Sequence, residues 1–214
     1  MNFVKNIKKY NRRHGSIITV IALASALLLS GCGAGASGGK TEEAGAAPSA
    51  GYFSDFEMDT FDGEDTVTEE IFSDHALNMI NIWATFCGPC VEEMPALQEL
   101  SEEYADQGLQ IIGLCSDVYS NGKLDERLML SGQEILETTG AEYLQLVPNE
   151  ATAEGLLTDV FAVPTTYFVD SEGNTVKIVI GAKSKEDWST TIEELLSENK
   201  EEEEPSEETA AEQE

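Results

Sequence analysis

Two cysteines, Cys87 and Cys90, stand three residues apart in "ATFCGPCVEEMP", residues 84–95, with only Gly88 and Pro89 between them. Thiols at this spacing can clip a metal, close a structural disulfide, or cycle between dithiol and disulfide. Zinc takes about four ligands. Beyond Cys32 the chain offers Cys87, Cys90, Cys115 and the lone His75, with no second Cys-x-x-Cys, so no metal site is expected. A c-type haem needs His directly after the second cysteine; here it is Val91. A structural staple suits an exported protein. Across so short a loop, however, a bridge removes little unfolded-state entropy.

The redox use fits the local physics. "ALNMINIWATF" is a nearly continuous apolar run and reads as a buried central strand. After the cysteines, Met94, Leu97, Leu100 and Tyr104 recur at helical steps. Cys87 therefore opens a helix, where the dipole and unpaired N–H groups favour a thiolate. A free thiol titrates at about 8.5, and Cys-x-x-Cys sites lower this to ~3.5–7.5. Pro89 suits the first turn because its missing N–H has no partner there. Cys90, one turn in, should be the more buried and less reactive thiol, and Pro95 should kink the helix. A peroxiredoxin-type Pro-x-x-x-Thr-x-x-Cys pattern is not matched, since Thr85 lies only two residues before Cys87.

The elements that must hold this pair alternate along the chain. "DG" at residues 62–63 lies between short apolar positions and predicts an N-terminal hairpin. "LQIIGLCSDV" reads as a second buried strand. A helix to Gly140, the strand "EYLQLV" and a helix over "NEATAEGLLTDVF" follow. "TTYFVD" and "TVKIVIG" flank the turn "SEGN" as a hairpin, and a last helix starts after Ser184 as N-cap. This order predicts an α/β sheet with a parallel core and an antiparallel edge.

"NIWATFCGPCVEEMPAL" followed by "VFAVPTTYFVDSEGNTV" resembles the thioredoxin fold, and more closely the TlpA/ResA-type membrane-anchored thiol-disulfide oxidoreductases of bacteria. The resemblance covers roughly residues 53–197. It implies a thioredoxin-like fold: a central mixed sheet flanked by helices, with an N-terminal hairpin and an extra helix-strand insertion near 124–147. It implies a cis Pro164 beside the redox pair, with the backbone of Val163 pairing with substrate. It makes Cys87 the nucleophile and Cys90 the resolving thiol, around Gly88 and Pro89. The buried Asp of thioredoxins is replaced by Asn81, whose amide cannot accept a thiol proton. Taken on its own pattern Glu93 reads as a solvated helix residue; the resemblance makes it the group that helps with the Cys90 proton. Phe86 stands where Trp is usual, and Gly88 where cytochrome-maturation members have Glu, which departs from that specific role. Trp83 is expected to pack beneath the site, and Cys115 to be a free buried thiol.

The ends of the chain carry an address. "MNFVKNIKKYNRRHG" is basic, and the apolar run "SIITVIALASALLLSG" leads into Leu29-Ser30-Gly31-Cys32. This resembles the lipobox of bacterial lipoproteins, which implies cleavage before Cys32 and a lipid on it. Residues 1–31 are the expected signal peptide, with Arg12-Arg13 part of an ordinary basic n-region rather than a twin-arginine signal. Residues 32–50 are an expected flexible linker averaging about 21–25 Å in span. Residues 51–197 are the thioredoxin-like domain, and 198–214 a disordered acidic tail.

Twelve Lys and Arg against 41 Asp and Glu give a formal charge of −29, which argues against a nucleic-acid partner. Losing residues 1–31 removes five cations and no acid, taking the charge from −29 to −34. The expected protein is an extracytoplasmic, lipid-anchored disulfide reductase with no cofactor beyond its own Cys87–Cys90 couple. Its expected partners are a disulfide-containing exported protein or reductase, an integral membrane thiol donor, and the membrane through its lipid. A binding lipoprotein without turnover, or an oxidase or isomerase of exported disulfides, are the alternatives.

Overall fold

Strand alternation decides which residues face which layer. In β4, Leu77–Trp83, every residue is buried, so both faces must be covered. Leu77, Met79 and Trp83 enter one apolar cluster, and Ile80 and Ile82 enter another on the opposite face. β5, Leu109–Cys115, repeats the pattern in parallel register, with Trp83 opposite Cys115. A strand covered on both sides reads as a continuous apolar run, as these two do.

The computed structural model describes residues 43–44, 51–53 and 56–203. The remaining strands are β1 (Glu43–Ala44), β2 (Glu57–Thr60), β3 (Thr66–Thr68), β6 (Tyr119–Ser120), β7 (Lys123–Leu124), β8 (Leu144–Val147), β9 (Thr165–Val169) and β10 (Thr175–Ile180). The main sheet has the order β1-β10-β9-β4-β5-β8-β2-β3, with β6 and β7 forming a separate small hairpin. β4, β5 and β8 are parallel. β9 and β10 run antiparallel on one side, and β2 and β3 on the other. The parallel core and the β9–β10 hairpin follow the sequence pattern; the N-terminal hairpin supplies a second antiparallel edge.

Four α-helices complete the described part: α1 (Gly88–Tyr104), α2 (Glu126–Thr139), α3 (Glu150–Glu154) and α4 (Lys185–Glu203). α1 continues through the exposed Pro95 to Tyr104. α2 is capped by Asp125, which accepts from the N–H groups of Arg127 and Leu128, and stops at Gly140 with φ 70°. That left-handed geometry is the one glycine adopts without cost. α2 and β8 form the expected insertion.

Three expectations shift. The helix foreseen over residues 149–161 divides into α3 and a 3-10 turn, Leu156–Asp159, on either side of Gly155. Glycine lowers helix propensity at that point. α4 runs on to Glu203, six residues beyond the expected domain end at Ser197. Lys and Glu are good helix formers, so the helix propagates past its docked part into the acidic segment. Within the expected linker, Glu43 and Ala44 pair antiparallel with Val179 and Ile178 of β10. The signal segment 1–31, Cys32, the rest of the linker and residues 204–214 lie outside the described residues. Among the described residues no helix is long and apolar enough to cross a membrane.

Candidate active site

The redox pair sits where β4 hands over to α1. Cys87 is the N-cap of α1, and its Sγ accepts from the backbone N–H of Cys90 at 3.2 Å. Cys87 and Cys90 are joined as a disulfide with Cα atoms 5.3 Å apart. Cys87 is 5% exposed and Cys90 not at all. The order of burial expected from the helix position therefore holds: Cys87 keeps a small exposed area and Cys90 none. Gly88 and Pro89 are exposed and form the first turn between them.

A second segment closes over this turn from 76 residues away. The Val163–Pro164 bond is cis. Cys87 Sγ lies 3.6 Å from the carbonyl oxygen of Val163. Val163 is half-buried and Pro164 buried, at the entry to β9, which pairs with β4. The β4–β9 ladder thus brings the two motifs together. Their neighbourhood is apolar and open. Phe86 is 77% and Phe161 92% exposed. With Asp117, Leu157, Val160 and Val163 they line a shallow groove of about 290 Å³. Exposed apolar side chains grouped in this way are a common mark of interaction surfaces.

Asp117, on the groove wall, fixes Thr85, two residues before Cys87. It accepts from the Thr85 N–H at 3.0 Å and from the Thr85 hydroxyl. It also receives the Cys115 thiol at 3.4 Å. Cys115 is a free, buried cysteine. Burial, and then the Asp117 charge, push its thiol far above the ordinary range. It belongs to the same apolar cluster as Cys87 and Cys90 but is held as an unreactive thiol.

Glu93 is not the solvated residue its own pattern describes: it is 4% exposed. α1 turns it inward, onto the face that packs against the sheet and α4. Asn81 Nδ2 donates to its Oε1 at 3.0 Å. The Lys183 backbone N–H donates to Oε2 at 3.2 Å and the Trp188 indole N–H at 3.1 Å. Burial raises the Glu93 pKa above the ordinary carboxylate value, and the three donors pull against that rise. Asn81 itself sits mid-strand, in register with Thr166 on one side and Gly113 on the other. Gly113 leaves room there: a Cβ would lie 2.1 Å from Gln145 Oε1, so that side chain would have to move. That same Gln145 oxygen accepts from the buried Trp83 indole at 3.1 Å. Trp83 packs beneath the pair, within the Cys87–Cys90 cluster.

The sequence pattern singled out both sulfurs, and the family resemblance added the Val163–Pro164 pair and Glu93; the structure places all of them in one neighbourhood. The sequence reading missed Phe161, Asp117, Lys183 and Trp188. Phe161 had one readable signal, an aromatic residue three positions before the proline. Trp188 and Lys183 had none, because their roles depend on how α4 docks.

The comparisons agree with this geometry. The chain is 26% identical over 141 residues to the thioredoxin-like protein YneN of Bacillus subtilis, covering 65% of this chain and 75% of that one. It is 34% identical over 107 residues to the thiol-disulfide oxidoreductase ResA of Oceanobacillus iheyensis, covering 49% of each chain. The chain thus spans about half the length of that ResA relative. Among solved structures, the thioredoxin domain of a thiol-disulfide oxidoreductase from Bacteroides vulgatus superposes with a TM-score of 0.56 at 18% identity, over 71% of this chain and 99% of that one. A thiol:disulfide interchange protein of the thioredoxin family from Chlorobium tepidum gives 0.53 at 21%, over 72% and 99%. These likenesses identify the fold as thioredoxin-like. The AhpC/TSA family model matches residues 51–178, a span that takes in both cysteines and the cis proline, and the chain belongs to the AhpC/TSA family.

Proposed function

We propose that the protein is an extracytoplasmic thiol–disulfide oxidoreductase that reduces disulfides of exported proteins. The observation that carries this reading is the reachable Cys87 sulfur beside the Val163 carbonyl, inside an exposed apolar rim. A substrate strand docked on Val163 lays its disulfide against Cys87. The Cys87 thiolate attacks one substrate sulfur, the substrate S–S bond breaks, and a mixed disulfide forms. The departing substrate thiolate takes a proton from solvent. Cys90 then loses its proton to Glu93 or water and attacks Cys87 Sγ. The Cys87–Cys90 bond forms, and the second substrate thiol leaves. The substrate gains two electrons and the dithiol loses two, with no cofactor beyond the couple itself.

The reducing direction is supported by Gly88-Pro89 and by the acids Glu92 and Glu93 beside the pair, since nearby acids disfavour a thiolate. Cleavage before Cys32, a lipid on that residue and an integral membrane thiol donor complete the proposal. A tether raises the local concentration of such a donor. Equilibrating the purified domain against glutathione buffers tests the direction. The couple should lie nearer thioredoxin, about −270 mV, than DsbA, about −120 mV. A value above roughly −180 mV makes the protein an oxidase or isomerase. Failure to reduce insulin with an artificial reductant makes it a binding lipoprotein.

A further inference from the structure

Glu93 Oε2 takes two groups that can only give hydrogen bonds, while Oε1 takes the Asn81 amide, whose own Oδ1 is buried without a partner among the described residues. The Trp188 indole and the Lys183 main-chain N–H have no lone pair to offer. Both N–H bonds of the Asn81 amide are committed, one to Glu93 Oε1 and one to Thr166 Oγ1 at 3.1 Å. The Trp188 indole and the Lys183 N–H offer a protonated Glu93 no acceptor at Oε2. The donors therefore favour the carboxylate and oppose, without cancelling, the rise in pKa that burial gives. Two of the donors come from the far end of the sequence: Lys183 precedes α4, and Trp188 lies in its first turns, wholly buried.

We propose that Trp188 is a positioning residue for the thiol chemistry: its indole N–H holds Glu93 ionised and aimed, so that Glu93 takes the proton that Cys90 gives up before closing the disulfide. The proposal rests on the dithiol reading above. Cys90 and Glu93 are one helical turn apart on the buried face of α1, so the donor of the proton and its acceptor share that face. The atom balance is simple. The Cys90 S–H bond breaks and a Glu93 O–H bond forms; the Cys90 sulfur lone pair then bonds Cys87 Sγ, the Cys87–substrate S–S bond breaks, and the substrate sulfur leaves as a thiolate. The protonated Glu93 then passes its proton, through solvent, to the departing substrate thiolate and returns to the carboxylate.

Other groups reach the same spot from each packed element. From the sheet come Asn81 and Thr166. Ahead of β8, burial raises the pKa of Tyr143, and the nearby Glu93 charge adds to that rise. From the β10–α4 connection, the Lys183 ammonium lies 5.5 Å from the centre of the Trp188 ring and donates to Thr191 Oγ1 at 3.3 Å. That cation sits over the ring whose N–H faces the carboxylate. Tyr143 works against the Glu93 charge once ionised, far above neutral pH.

The test uses the intact reduced and oxidised protein. Carbon-labelled Glu93 and the Trp188 indole N–H are followed by NMR through a pH titration. The two resonances should move with one shared midpoint. Trp188→Phe should raise the Glu93 midpoint and move the acid limb of the disulfide-closure rate to higher pH, slowing closure about tenfold near neutrality, the size of one charge-assisted hydrogen bond. Glu93→Gln should abolish that limb, and Trp188→Phe added to it should shift nothing further. An indole resonance that ignores the Glu93 titration overturns the proposal, and this reading needs no variant to fold. A folded Trp188→Phe protein with an unchanged midpoint overturns it as well. If the wild type shows the shared midpoint but never reduces a disulfide, the dithiol reading falls while the hold of Trp188 on Glu93 stands.

Discussion

The sulfur of Cys87 lies 3.6 Å from the carbonyl oxygen of Val163, across 76 residues of chain. A substrate strand that pairs with this backbone is delivered to Cys87 and not to Cys90, whose sulfur is wholly buried. Cys87→Ser should therefore abolish disulfide reduction. Cys90→Ser should leave the first attack intact and accumulate a mixed disulfide between Cys87 and substrate. Non-reducing electrophoresis with mass mapping reads this directly; adducts on Cys90 in a Cys87→Ser protein at the same rate would reverse the assignment.

Glu93 should leave a mark on the pH dependence of stability. Its folded pKa is raised, by burial first, so the folded state binds this proton more tightly than the unfolded chain does. The contribution is then present below the ordinary carboxylate value and lost as pH rises through the folded one. Denaturant unfolding of wild type and Glu93→Gln across that window should show the wild type losing ground as pH rises, then a constant difference. Turnover of the variant should fall roughly ten- to a hundredfold, at or below the low end of general-base effects. A difference in stability that is flat with pH removes the buried-carboxylate account.

Cys115 should be chemically silent. Its thiol is raised by burial and by Asp117, so almost no thiolate exists at neutral pH. In reduced native protein iodoacetamide should label Cys87 rapidly and Cys115 only after unfolding. Cys115→Ser should leave turnover essentially unchanged. A large loss would give this third thiol a place in the electron path.

Phe161 should contribute to docking and little to folding. It is 92% exposed, so Phe161→Ala should change stability by no more than ~0.5 kcal/mol. Burying part of the ring against a substrate is worth on the order of 1 kcal/mol, so KM for a protein disulfide should rise about fivefold. A small disulfide such as oxidised glutathione, which cannot span the groove, should be unaffected. Equal effects on both substrates would place Phe161 outside the docking surface.

Cys32 should carry lipid. The lipobox-like Leu29-Ser30-Gly31-Cys32 motivates this. Mass spectrometry of membrane-extracted protein should find residue 32 at the mature N-terminus with acyl chains attached. An intact 1–31 segment would refute it.

The sequence by itself determined the chemistry and the order of the elements. Cys-Gly-Pro-Cys between a seven-residue apolar strand and an amphipathic helix states where a thiolate can form, because strand burial, helix onset and proline at the first turn are local properties. The alternation of strands and helices carried the parallel core for the same reason. What the chain surrounds its sulfurs with was decided only by tertiary structure. Glu93 is followed three-dimensionally by Asn81, Lys183 and Trp188, at separations of 12, 90 and 95 residues. Along the chain no cation lies near the pair, yet the docking of α4 brings Lys183 over Trp188, beside Glu93. A carboxylate on a helix reads as solvated until the element that covers it is known. Its burial and its donors are long-range contacts, and no local pattern encodes them.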